Sequence, residues 1–275
     1  MADFKIGNTT PSSGKLKVGD SEVSKVYNGA TLIWSNAFIF TTRAQLDTAI
    51  SLWISNKAAA LATYGEINTW RFEANASLAN FSSLFLNKDT FDSDISNWDV
   101  SNVTNMGSMF KGATSFNQYI STWDMSSVTS MYHMFLNADA FNQDIGSWDV
   151  SSVTSMKGMF LFAPSFNRDL SSWDVSNVTD MGGMFQQANS FNQNLSSWDV
   201  SSVIDMSNMI YQTAINTTNY DALLTGWNAL TLQSNIAFGA NGVEYCSTAA
   251  QNARTNIINT YNWTIIDGGQ AVGCP

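Results

Sequence analysis

The stretch SNWDVSNVTNM occupies residues 96–106, and near-copies of it recur along the chain. They read STWDMSSVTSM, GSWDVSSVTSM, SSWDVSNVTDM and SSWDVSSVIDM, and begin at residues 121, 146, 171 and 196, which is a step of 25 residues each time. A period of this length, kept without one insertion, is typical of repeat proteins whose units stack on their neighbours.

Columns of large apolar residues keep the same period, and we expect them to face inward and build a continuous core. The columns include tryptophans, methionines and phenylalanines: Trp98, Trp123, Trp148, Trp173, Trp198; Met106, Met131, Met156, Met181, Met206; Phe110, Phe135, Phe160, Phe185. The spacing within one unit changes partway. Alternation around Trp173-Asp174-Val175 has the period of a strand, and the threefold steps that follow favour a short helical segment. The sequence therefore predicts an α/β repeat solenoid with one short parallel strand and one short helical return per coil.

The unit W-D-V-S-x-V-T-x-M-x-x-M-F-x-x-A-x-x-F-N resembles the BspA-like leucine-rich repeats, a domain of unknown function common in surface proteins of mycoplasmas, Bacteroidetes and marine microbes. The resemblance runs through residues 67–210, and the flanks at 52–70 and 219–269 look like the family's lead-in and C-terminal cap. It implies a leucine-rich-repeat-like fold and a binding or adhesion scaffold.

Four segments follow from these patterns. Residues 1–35 form a small β module, residues 36–66 an N-terminal capping helix, residues 67–210 the repeats and residues 211–275 a C-terminal cap. The capping helix is expected over 42–62, with Thr41 or Thr42 as N-cap and inward residues at helical spacing: Leu46, Ile50, Trp53, Ile54, Leu61. The C-terminal cap is expected to hold two helices, near 218–229 and 247–260, and a closing strand at 263–266.

The charge balance restricts the partners. Twelve basic and 22 acidic residues give a net charge of −10, which argues against binding to nucleic acid or to anionic membranes. No secretion signal and no long apolar run is recognisable, so membrane insertion is not expected. Cys246 and Cys274 could form one disulfide in an oxidising compartment or remain two buried thiols.

The aspartates that follow the tryptophans are the candidate ligand-facing ladder. If Trp and Val face inward, the residue between them faces out, so one carboxylate should project from each coil. Each could accept hydrogen bonds from the serine two positions on, or the row could bind Ca²⁺ or a cationic or polyhydroxyl ligand. The ladder consists of Asp99, Asp124, Asp149, Asp174, Asp199 and of Ser101, Ser126, Ser151, Ser176, Ser201.

Other chemistry is less well supported by the sequence. Regular, outward-facing acids lack the unequal environments of a glycosidase pair, and the lone His133 has no metal-ligand partner at a suitable spacing. No catalytic residue and no cofactor is therefore assigned, with Ca²⁺ at the ladder as the one open alternative. The asparagines of the repeats are expected to join the turns by side-chain hydrogen bonds: Asn117, Asn142, Asn167, Asn192.

Residues 1–35 contain LKVGDSEVSKVYNGATLIW, which is similar to short N-terminal modules in tailed-phage virion proteins. The resemblance implies a virion location and contacts with other virion proteins, or a homo-oligomer, through this segment. The anchor candidates are Lys25, Val26, Tyr27, Trp34. The plain alternative is a small β extension that supports the capping helix.

Two main functions are consistent with these observations. One is a non-enzymatic virion protein, of the fibre, decoration or receptor-binding type, that binds a protein or glycan on the host surface. The other is a bacterial cell-surface adhesin of the same repeat family, located outside the cell. A depolymerase of surface glycans is a third, enzymatic alternative.

Overall fold

The computed structural model describes residues 37–274 in full and, before them, only the backbone of four short strands. Strand β1 (Leu16–Val18) pairs antiparallel with β2 (Ser21–Val23), and β3 (Lys25–Asn28) pairs antiparallel with β4 (Thr31–Ser35). Short strands are thus present where the sequence predicted them. The side chains of the four anchor candidates lie outside the described residues.

The N-terminal cap contains two helices where the sequence predicted one. Helix α1 (Arg43–Ser55) begins with a capping box between Thr42 and Gln45, and α2 (Lys57–Tyr64) follows after a single residue. Asn56 explains the break, because its backbone ends α1 while its side chain accepts the amide hydrogen of Ala59 and starts α2. The prediction that Ile54 faces inward is wrong, since this residue is exposed.

The cap covers the open end of the repeats by backbone pairing and by one side chain. Strand β5 (Ile39–Phe40) pairs in parallel with β6 (Arg71–Phe72), just after a 3₁₀ turn at Ile67–Thr69. The Arg43 guanidinium donates to the carbonyls of Asn80 and Ser82, both at 2.7 Å. In later repeats the equivalent carbonyls accept amides from the preceding repeat, so Arg43 takes the place of a missing neighbour.

Neighbouring repeats are joined by backbone hydrogen bonds between positions 24 residues apart. The amides of Met106, Ser108, Phe110 and Gly112 donate to the carbonyls at positions 130, 132, 134 and 136, over 2.7–3.0 Å. Between them, the amides of Met109 and Lys111 donate to the carbonyl three residues earlier in the same repeat, and the amide of Gly107 donates to the side-chain oxygen of Asn105. Parallel bridges link each repeat to the next in one continuous series: Asn80, Asn105, Ser130, Ser155, Asp180, Asp205.

The repeats over residues 73–216 contain neither the strand nor the helical return that the sequence predicted for each coil. Residues 73–216, all described, hold no helix and no strand longer than an isolated bridge, and the bridges lie away from the Trp-Asp-Val alternation. Left-handed residues recur at two positions of each repeat, for example at Ser108 and Gly112. Each one ends a three-residue turn and redirects the next amide, so a threefold apolar spacing arises without a helix.

The core consists of the apolar columns, as the sequence predicted. Every tryptophan of the column is at most 4% exposed, and the methionines and phenylalanines of the columns at Met106 and Phe110 are fully buried. Phe110, Phe135, Phe160 and Phe185 lie one above another with ring centroids 5.5–5.7 Å apart and nearly parallel planes. Each ring also stacks on a second phenylalanine of its own repeat, so apolar contact is continuous along the stack.

The C-terminal cap continues the hydrogen bonding of the last repeat. Helices α3 (Thr217–Trp227) and α4 (Thr248–Tyr261) agree with the predicted helices, and the predicted closing strand is β8 (Thr264–Asp267). The sequence did not predict β7 (Ala237–Ala240), which pairs in parallel with β8. The carbonyl of Gly239 in β7 accepts the amide of Ile210, so β7 occupies the position of a further repeat.

Cys246 and Cys274 form a disulfide within the C-terminal cap. The sequence had left open whether they would be bonded or remain two buried thiols. Among the described helices, none has both the length and the apolar character that a membrane crossing requires.

Candidate functional site

The aspartate ladder is exposed, and each member has the same local geometry. In every repeat the Asp Oδ1 atom accepts the amide hydrogen of the serine two residues on, at 3.0–3.1 Å. The hydroxyls of Ser101, Ser126, Ser151 and Ser176 donate to the same oxygen at 2.6–2.7 Å. The predicted hydrogen-bonded turn is therefore confirmed, and the serines, which are half-buried, have part of their bonding capacity used.

These hydrogen bonds stabilise the ionised carboxylates. The Ser101 hydroxyl and amide lower the pKa of Asp99 from its usual value, and Ser151 and Ser176 have the same effect on the pKa of Asp149 and Asp174. The charge of Asp149 opposes this effect slightly at Asp174. At Asp174 the hydrogen bonds thus outweigh the repulsion from the neighbouring rung.

The lowered pKa values predict a loss of stability in acid. A carboxyl group whose pKa is lower in the folded state stabilises the fold at any pH above its unfolded pKa of about 4. This contribution is lost as the pH falls through the folded pKa. Urea unfolding at pH 7, 5 and 3 should show a lower free energy of unfolding at pH 3, and Asp149→Asn should reduce that difference by a fraction of about 1 kcal/mol because the group is exposed. A free energy that stays constant or rises toward pH 3 would contradict this account.

The ladder does not bring metal ligands together. Within the described part of the chain, no group of three or more His, Cys, Asp or Glu side chains is placed to hold a metal ion. Ca²⁺ requires about six to eight oxygen ligands around one centre. One oxygen of each ladder aspartate already accepts a hydrogen bond from a serine, which leaves few oxygens for such a site.

We therefore expect calcium to leave the stability of the protein unchanged. The melting temperature in millimolar Ca²⁺ should agree with that in EDTA to within about 1 °C, since a ligand raises stability only when it binds the folded state. The Asp149→Asn variant serves as the control, because it removes one charge from the ladder and should give the same null result. A calcium-dependent rise in the wild type that this variant reduces would identify the ladder as a metal site.

The asparagine column forms the side-chain ladder that the sequence predicted. The Oδ1 atoms of Asn117, Asn142 and Asn167 each accept the amide hydrogen of the residue 25 positions on, at 2.9–3.0 Å. Threonines on another edge form a parallel series, in which Thr129, for example, donates its hydroxyl to the carbonyl of Thr104 at 3.1 Å. Much of the polar surface of the repeats is thus fixed by contacts between neighbouring repeats.

Two ion pairs that share Lys157 join three consecutive repeats, and they were not predicted from the sequence. Lys157 Nζ lies 3.7 Å from an Asp180 carboxylate oxygen and 3.4 Å from one of Asp205. Asp180 and then Asp205 raise the pKa of Lys157. Gly182 lies between them, and a Cβ atom there would come within 2.9 Å of the Asp205 carboxylate. The absence of a side chain at this glycine, together with the 25-residue period, could have indicated the contact.

The fold and the ladder together define a protein of stacked 25-residue repeats with capped ends. The sequence matches the family described as "Mycoplasma protein of unknown function, DUF285" twice, over residues 54–161 and 120–227. Together these matches cover more than half of the chain, and the chain belongs to this family, which in a general sense is the BspA-like repeat family. No curated protein and no solved structure matches the sequence.

Proposed function

We propose that the protein is a non-enzymatic binding protein whose repeats, arranged as a solenoid, present one rigid face to a cell surface. The observation that carries this proposal is the repetition of the exposed carboxylate geometry, in which each Asp accepts the amide hydrogen of the serine two residues on. Equal groups at equal intervals on a stiff support suit a ligand that is itself repetitive, because many weak contacts add by multivalency.

The proposed location is the surface of a phage particle. Residues 1–35 carry the resemblance to virion modules, and their four described strands form two antiparallel pairs. In this proposal they contact other virion proteins or a second copy of the chain, while the repeats face a protein or glycan of the host.

The disulfide favours a protein that works outside a reducing compartment, since such bonds persist mainly in oxidising surroundings. A virion released by lysis meets this condition, and so does a cell-surface adhesin of the same family. The adhesin therefore remains the second candidate, and it differs from the first in where residues 1–35 are anchored.

The non-enzymatic part of the proposal is supported by the contacts of three ladder aspartates. A glycosidase pair needs one carboxyl group with a raised pKa beside one that stays ionised. In the ladder the pKa values of Asp99, Asp149 and Asp174 are all shifted downward, by the same serine contacts. These acids are suited to binding or to structure rather than to proton transfer.

Two measurements test this proposal. Mass spectrometry of density-purified phage particles should find peptides of this chain at a constant ratio to the major capsid protein, whereas their presence only in the bacterial envelope fraction would favour the adhesin. Incubation with bacterial surface polysaccharide should release no reducing sugar. Release that Asp149→Asn abolishes, with the fold intact, would contradict the non-enzymatic assignment.

A further inference from the structure

A cavity of about 540 Å³ opens on the surface of the repeats, away from the residues assigned to the ladder. It is lined by two columns of the repeat: Asn137, Phe162, Gln187 and Gln212 in one, Asp139, Pro164 and Asn189 in the other. Phe162 and Pro164 belong to one repeat, and the polar residues come from the repeats on both sides. The cavity therefore has an apolar centre between two polar walls.

Phe162 is an unusual residue for its position. Its backbone is left-handed, with φ at +56°, and the other members of its column, Gly112, Asn137, Gln187 and Gln212, are also left-handed. Glycine and asparagine adopt this conformation most readily, whereas a bulky aromatic residue rarely does. Phe162 is 42% exposed, so burial in the core does not explain why a phenylalanine occupies this position. Backbone strain combined with an exposed aromatic ring is a common sign of a binding site.

Several polar groups of the cavity are free to bind a ligand. Gln187 donates to Gln212 at 2.6 Å, which fixes one wall. The side chains of Asn137, Asp139 and Asn189 form no hydrogen bond with any other residue in the described part of the chain. Amide groups both donate and accept, so they can bind hydroxyl groups in either sense.

We propose that this cavity is a carbohydrate-binding subsite for a neutral or amino-sugar-containing glycan. The Phe162 ring would pack against the C–H face of a sugar ring, and the surrounding amides and the Asp139 carboxylate would bind its hydroxyl or amino groups. The lining contains no Lys or Arg, which disfavours sulfated and phosphorylated ligands. The volume suits a small part of a glycan chain rather than a flat protein interface. This inference rests on the proposed binding function and names a ligand class and a place for it.

The first experiment applies the full-length protein to immobilised oligosaccharides in three sets: neutral hexoses, hexosamines with free or acetylated amino groups, and sulfated or sialylated chains. Binding is expected in the first or second set. The best-binding oligosaccharide is then titrated calorimetrically into the wild type, Phe162→Gly, Phe162→Tyr and Tyr119→Asn. Tyr119 is the matched control, because it is an exposed aromatic residue outside the cavity.

Phe162→Gly should weaken binding by about tenfold or more, because an aromatic contact at the centre of a site is removed. Phe162→Tyr should retain binding, and Tyr119→Asn should leave it unchanged. Phe162→Gly should also melt no lower than the wild type, since glycine relieves the left-handed backbone and Gly112 occupies the equivalent position. Lost binding can therefore be separated from lost folding.

Three results would overturn the inference. These are binding that Phe162→Gly leaves unchanged, preference for the sulfated or sialylated set, and no binding to any oligosaccharide. If the protein still bound intact cells in any of these cases, the proposed binding function would stand and only the cavity or the ligand class would be wrong. Binding to cells that survives periodate oxidation of their glycans would point to a protein ligand instead.

Discussion

Replacing Trp148 by alanine should lower the free energy of unfolding by about 3–5 kcal/mol. Trp148 lies in a middle repeat, is 3% exposed and has its ring 6.5 Å from that of Phe135. Its indole Nε1 atom donates to the buried carbonyl of Ile120 at 3.0 Å. The substitution therefore leaves a cavity in the column and removes one of the two hydrogen bonds that the Ile120 carbonyl accepts, the other being from the Trp123 amide. Both effects destabilise the fold.

Urea unfolding followed by circular dichroism measures this effect. The neighbouring Asp149→Asn variant is the control, because the amide oxygen can still accept from Ser151 and the residue is exposed. Its free energy of unfolding at pH 7 should remain within about 0.5 kcal/mol of the wild type. Equal small effects from both substitutions would show that the inward and outward faces of the repeat have been assigned wrongly.

The second large effect is expected in the C-terminal cap. Asp267 is almost fully buried and accepts from Arg254 at 2.8 and 3.0 Å and from the Tyr220 hydroxyl at 2.8 Å. Burial and then the charge of Asp267 hold the pKa of Tyr220 well above its usual value, so the hydroxyl remains a donor. Asp267→Ala leaves the Arg254 guanidinium, the Tyr220 hydroxyl and the Gly269 amide without this acceptor. It should cost about 3 kcal/mol, at the lower end of the range for buried pairs because Arg254 is partly exposed.

Asp47→Ala is the matched comparison. Asp47 accepts from Arg43 at 2.7 Å, which is as short as the Arg254 contact, but half of its side chain is exposed. Its loss should cost less than about 1 kcal/mol. The pair of variants separates the effect of burial from that of distance, and equal costs would contradict the importance given to burial here.

The sequence was sufficient to predict what repeats and what faces inward. A strict period places Trp148 and its equivalents in one column, and only the interior can accommodate large apolar side chains in such numbers. The outward aspartates and their serine contacts followed from the same alternation, because the Asp and Ser two positions apart are local in the chain. Local spacing and burial were therefore sufficient to predict most of the ladder's position and hydrogen bonds.

The path of the backbone between those residues could not be predicted. Threefold spacing fits a helix and also a series of three-residue turns, and the left-handed residues that decide between them include Ser108 and His133, which carry no glycine signal. Strand β7 was missed because its pairing depends on the last repeat and on β8, both distant in sequence. Arg43 was missed for the same reason, since its carbonyl partners lie 37 and 39 residues away.

The Phe162 cavity depends both on a local feature of the sequence and on the path of the backbone. The column position and its departure from glycine and asparagine are visible in the sequence, but the sequence does not show that the position is left-handed or that the ring is exposed. Once the backbone is known, Phe162 is seen to be an exposed aromatic residue in a left-handed conformation. A break in a repeat pattern thus became informative only when its surroundings were known.

The most direct test of the binding function is the association of the fluorescently labelled, full-length protein with intact cells of a panel of bacterial strains. An acidic protein of similar size and net charge provides the background, and flow cytometry gives the amount bound at each concentration. The account predicts saturable binding to at least one strain that excess unlabelled protein displaces. Uptake that is linear, is not displaced and equals that of the acidic control on every strain would contradict it.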